Sequence, residues 1–134
     1  MGVPSSSELL DITTNVLVTD EDIDDIMESA LSAGITYWCN KVKVEGDYLG
    51  EYASEQISRG GNLKIYDFVD EAVYTLTKHK FMEGLKKYLE DPLYKNTLCK
   101  IAHEKRFRIN SFMIDGPSAD MIIQYALFGE IIYA

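Results

Sequence analysis

Cysteine and histidine are scarce in this chain of 134 residues, two of each. Cys39, Cys99, His79 and His103 cannot complete a four-ligand zinc site unless carboxylates join them, and their spacing shows no such grouping. With two cysteines there is no disulfide scaffold, and both read as small buried hydrophobes in a reducing compartment. No apolar run approaches the roughly 20 residues of a membrane helix. Met1 to Glu8 lacks the basic and apolar regions of a signal peptide, so the expected location is the cytosol, away from membranes. No nucleophile and base stand at a diagnostic spacing, and neither histidine has a partner placed for acid–base work. The expectation is a protein without catalytic activity, cofactor or metal.

What is present is enough to fold. Hydrophobic residues make up 46% and charged residues 26%, the balance of one globular domain rather than a disordered chain. We expect a polar lead-in over 1–18 and a single domain over 19–134.

The net charge of −9 is an uneven average. Met1 to Glu55 holds twelve acidic residues against Lys41 and Lys43, a net −10, while the remainder is nearly neutral at +1. Lys78 to Arg108 is locally basic, at +5. A field of this sign repels duplex DNA, whose affinity comes from clustered cations, but leaves room for a pocket that takes one small anion. Opposite faces also permit self-association.

Thr19 is a good N-cap, with Asp22 at the capping-box position. Ile23, Ile26, Met27, Ala30 and Leu31 then form one apolar stripe, with Gly34 as the stop. Asp24 and Asp25, about 100° apart on such a helix, read as a solvated face. Ile35 to Val44 reads as a strand, Glu51 to Ser58 as a helical turn, and Asn62 to Phe68 with Ala72 to Leu76 as a hairpin. Thr77 caps a second helix to about Leu89, ended by Glu90-Asp91-Pro92. A short helix is expected around Leu98, Ile101 and Ala102, and a strand over Arg106 to Met113. Asp115 to Ser118 starts a third helix that is apolar on nearly every side, closed by Gly129, with a last strand over Ile131 to Tyr133. The order predicts an α+β domain, about three helices packed on a mostly antiparallel sheet.

One segment concentrates the groups that bind anions. From Gly46 to Lys64 the chain carries Tyr48, Tyr52, Arg59, Gly60, Gly61 and Lys64. Glycine N–H groups approach an anion closely, Arg59 can fork onto a phosphate, and tyrosine faces stack on a base. A plain turn that needs Gly60 and Gly61 for positive φ explains the glycines equally well. Lys105-Arg106-Phe107-Arg108 puts cations around a ring and would suit a phosphate-bearing ligand, or a solvated strand face. Trp38, the sole tryptophan, reads as a core anchor or, alternatively, a stacking platform.

Gly34 to Cys39, Tyr48 to Gly61 and Ile122 to Ile131 together resemble a family of small uncharacterised proteins carried by phages and prophages of Firmicutes. That family has no assigned activity, so no residue role carries over. The resemblance implies an accessory protein that antagonises host defence during infection. Two mechanisms fit. The first is a sponge that sequesters a nucleotide-derived signal, using Tyr48, Tyr52, Arg59, Gly60, Gly61, Lys64, Arg106 and Arg108. A chain this small would need a homo-oligomer to enclose such a ligand. The second presents Asp20 to Glu28 to a basic host enzyme as a mimic of nucleic-acid phosphates.

Overall fold

A computed structural model describes residues 7–11, 15–91, 98–100 and 106–134. It is an α+β domain in which, among the described residues, three α-helices and two separate sheets share one core. The expected single sheet is therefore divided.

The first sheet is mixed. Strand β1 (Ser7–Asp11) lies antiparallel to β2 (Asn15–Thr19), within the expected polar lead-in. Beyond β2 come β7 (Arg106–Ile109), parallel to it, and then β6 (Leu98–Lys100), antiparallel to β7. The second sheet is a meander of β3 (Cys39–Glu45), β4 (Asn62–Asp67) and β5 (Ala72–Leu76). Along β4 buried and half-buried residues alternate, with Leu63, Ile65 and Asp67 turned inward. No glycine makes the β4–β5 turn. The Asp67 carboxylate instead accepts the N–H groups of Val69 (2.8 Å) and Asp70 (3.1 Å), and Glu71 takes the positive φ of 55°.

Helix α1 (Asp20–Ser29) opens with the anticipated box: Thr19 Oγ1 accepts from Asp22 N at 3.1 Å, and Asp22 accepts from Thr19 N at 3.0 Å. It does not run unbroken to Gly34. Ala30–Gly34 widens into a π-helical turn, a rare form that is frequent at functional sites. Helix α2 (Lys78–Leu89) is capped by Thr77 and buries Phe81, Leu85, Tyr88 and Leu89 as expected. Helix α3 (Gly116–Phe128) starts at the Asp115 cap and packs against α2 and the π turn. None of the described helices is long and apolar enough to cross a membrane.

Four expectations need correction. Ile35 to Trp38 is turn rather than strand, because Trp38 N and Cys39 N both return to Ile35 O (3.1 and 2.8 Å). Leu98 lies in a strand rather than a helix, drawn into pairing with Ile109; Ile101 and Ala102 fall outside the described residues. The strand over Arg106 to Met113 stops at Ile109, and Ser111–Met113 tightens into a 3-10 turn. Ile131 to Tyr133 pairs with no strand among the described residues, because the Gln124 side chain takes the N–H groups of Ile132 and Tyr133 at 2.9 Å each.

Candidate functional site

The glycine-rich segment folds against α1 and is held by its own side chains. Gln56, 1% exposed, accepts from Leu49 N (3.0 Å) and donates to Asp47 O (3.1 Å). The Glu55 carboxylate accepts from Glu51 N (2.7 Å) and Tyr52 N (3.1 Å), bonds that hold its pKa below the ordinary value. Gly60 supplies a positive φ of 86°. At Gly61 a Cβ would lie 2.3 Å from the Gln56 amide nitrogen, so this position must be bare for Gln56 to reach its partners. Both glycines thus serve the turn.

Arg59 is engaged by neighbouring groups. Its Nη1 donates to Glu55 O at 3.3 Å and lies 3.8 Å from the Asp24 carboxylate. Burial pushes the Asp24 pKa up, and Ser58 and Arg59 oppose that rise. Tyr48 and Tyr52 are each 61% exposed. Tyr52 edges a hollow of about 430 Å³ beside Glu28 and Leu31. Lys64 sits on the open face of the meander, bonded to Thr75 Oγ1 (2.7 Å) and Glu45 (3.1 Å). Arg106 and Arg108 belong to the other sheet, where Arg108 lies in the field of Asp22. Lys64 and the two β7 arginines therefore belong to different sheets. Lys105 and His103 lie outside the described residues.

A different place in the molecule has the geometry of a site. A cleft of about 560 Å³ opens between the π turn, the start of α3 and the last residues of the chain. Its walls are small and apolar: Ala33, Gly34, Pro117, Met121 and Ile131. Gly34 is required there, since a Cβ would lie 2.4 Å from Gly116 O.

The polar part of the cleft is one connected network. Asp120, 6% exposed, lines it and accepts from Tyr37 Oη at 2.6 Å and from Trp38 Nε1 at 2.8 Å. Gln124 Nε2 donates to both Asp120 oxygens, at 3.0 and 3.1 Å, and to Tyr133 O at 3.1 Å. Tyr133 then donates its hydroxyl to the buried Asp67 at 2.6 Å. Two buried carboxylates are in this way linked through neutral donors, the condition under which buried polar groups are tolerated. Partial burial and the Asp120 bond push the Tyr37 pKa up to about 12. The bond to Asp67 raises that of Tyr133 as well. Both hydroxyls are thus proton donors at neutral pH. Trp38, 0% exposed, stacks on Tyr133 at 5.4 Å, so its core-anchor role holds and no ligand reaches its ring.

The residues of this cleft did not stand out in the sequence because no two of Tyr37, Asp120 and Tyr133 are neighbours along the chain. One signal was available. Asp120 and Gln124 stand four apart, on one face of an otherwise apolar helix, where a polar pair demands partners.

No protein-family model, curated protein or solved structure matches this chain. Its function has to be argued from the cleft itself.

Proposed function

We propose that this chain is a non-enzymatic binding protein that sequesters a small molecule in the cleft between the π turn and α3. The observation that carries this reading is the union of an apolar-walled volume of about 560 Å³ with a buried, fully bonded carboxylate facing it. Ligand sites are concave, mostly apolar, and oriented by a few fixed polar groups. In the setting that the prophage resemblance implies, withholding a host signal antagonises defence without any bond being broken. A nucleotide with free phosphates would need cations, and the described residues lining the cleft include no lysine, arginine or histidine. The sponge mechanism is therefore retained, with its ligand moved away from the phosphate class.

Native mass spectrometry after incubation with a bacterial small-molecule extract tests this reading. The unmutated chain is expected to retain a small molecule that Ala33→Phe, which fills the cleft mouth, fails to retain. Equal retention by both proteins, or by neither, refutes it.

A second reading has one observation in its favour. Glu21, Asp25 and Glu28 are exposed at i, i+4 and i+7 on α1, a continuous acidic stripe for a basic partner. Reversal of Asp25 and Glu28 to lysine is expected to abolish capture of a basic host protein; unchanged capture removes this alternative.

A further inference from the structure

The ligand charge that the cleft favours follows from its unbalanced carboxylate, given the ligand site proposed above. Asp120 is buried, and its hydrogen-bond partners among the described residues are neutral: a phenol, an indole N–H and a carboxamide. The positive end of α3 is the nearest counter-charge on that helix, and Asp115 already answers it. The Asp115 carboxylate accepts Ser118 N at 3.0 Å, its carbonyl accepts Ala119 N at 2.8 Å, and it adds a second negative charge at that helix end. A buried carboxylate beside apolar walls keeps more of its field than one in bulk water, because the surrounding medium screens it less. The net charge of −9 acts in the same direction at longer range.

The hydrogen bonds narrow the class further. Oδ1 of Asp120 accepts from Trp38 and Oδ2 from Tyr37, while the Gln124 carboxamide, which also serves Tyr133 O, is shared between the two, so both oxygens are already engaged. A primary ammonium entering the cleft would give up strong hydration without finding a free acceptor on this carboxylate. A cation with no N–H groups loses little water and needs no acceptor. It gains from the carboxylate through space and from the face of Tyr37, which is 46% exposed at the cleft.

We infer that the cleft selects an apolar-bodied onium cation without N–H groups, a quaternary ammonium or a trialkylsulfonium, over its neutral and anionic counterparts.

Trp38 provides the reporter. It is the sole tryptophan, and its indole N–H is bonded to Asp120. The indole cross-peak in a nitrogen–proton correlation spectrum is followed while choline, the uncharged alcohol with carbon in place of choline's nitrogen, and pivalate are titrated separately. Choline is expected to move the peak at about tenfold lower concentration than the alcohol, with pivalate leaving it in place. Asp120→Asn is expected to erase the difference between choline and the alcohol. Should that variant fail to fold, the three titrations of the unmutated chain still decide. Equal action of choline and the alcohol, or stronger action of pivalate, overturns the cation preference. Silence from all three overturns it too, while retention of an extract metabolite judges the cleft separately.

Discussion

The segment from Gly46 to Gly61 and the cleft at Asp120 invert each other. The first is rich in the residues that bind ligands, and its polar side chains are spent on the loop itself: Gln56 on Asp47 and Leu49, Glu55 on Glu51 and Tyr52, Arg59 on Glu55. The second is built from unremarkable residues, yet it holds a volume with a bonded carboxylate at its edge. A residue's chemistry becomes function only where local structure leaves it unspent. A short loop has to satisfy its exposed backbone with the side chains nearest to hand.

Asp120→Ala is the largest test of that contrast. It leaves the buried Trp38 N–H without its acceptor, at about 1–3 kcal/mol, and also removes the bonds from Tyr37 and from Gln124, which keeps Tyr133 O. Denaturant unfolding is expected to show a loss of about 3 kcal/mol. A loss no greater than that of a surface substitution would mean that the network organises nothing.

Next comes the glycine that shapes the cleft. Gly34→Ala sets a methyl 2.4 Å from Gly116 O and 3.2 Å from Asp120 N, both backbone atoms that cannot turn aside. Its expected cost is about 2 kcal/mol, read as a lowered unfolding midpoint. Gly116→Ala faces the same seam from the other side, and its methyl meets Ala33 Cβ at 3.6 Å, an ordinary contact. That variant is expected to match the unmutated chain. Equal damage from both would show that the seam is crowded throughout, with no open cleft beside it.

Alkaline pH separates the two regions without mutation. The Tyr37 hydroxyl is raised in the folded chain from 10.0 to about 12. Its contribution to stability is therefore complete below about pH 10 and lost as pH rises through the folded value. Tyr133 is shifted in the same direction by Asp67. Neither Tyr48 nor Tyr52 has a carboxylate bond of this kind among the described contacts. Tyr37→Phe is expected to flatten the decline measured by chemical unfolding between about pH 10 and 12. An unchanged slope would detach the hydroxyl from Asp120.

What was legible in the sequence was local. The Thr19–Asp22 box, the apolar stripe of α1, the Thr77 cap and the β4–β5 hairpin are each settled by residues within a few positions of one another. The cleft is settled by Tyr37 and Asp120, 83 positions apart, and by a carboxamide that captures the chain end. The same distance explains the misplaced strands. Ile35 to Trp38 has the composition of a strand, but the Trp38 indole turns to meet Asp120, and Ile132 and Tyr133 lose their N–H groups to Gln124. Periodicity reports which face is apolar; it does not report which distant polar group that face must satisfy.

Arg59→Ala carries the smallest expected effect and the sharpest contrast. The guanidinium and the Asp24 carboxylate are 3.8 Å apart with side chains 42% and 25% exposed, a pair worth at most about 1 kcal/mol. Burial already raises the Asp24 pKa, and removing Arg59 withdraws one of the groups that oppose the rise. A carboxyl raised in the folded state favours the fold only when protonated, so the variant's deficit is expected at neutral pH and should shrink on acidification. Thermal unfolding at the two pH values reads that difference. Loss of small-molecule retention in an Arg59→Ala protein of unchanged stability would reverse the comparison, because a guanidinium tied to Glu55 and Asp24 would then have been the one holding the ligand.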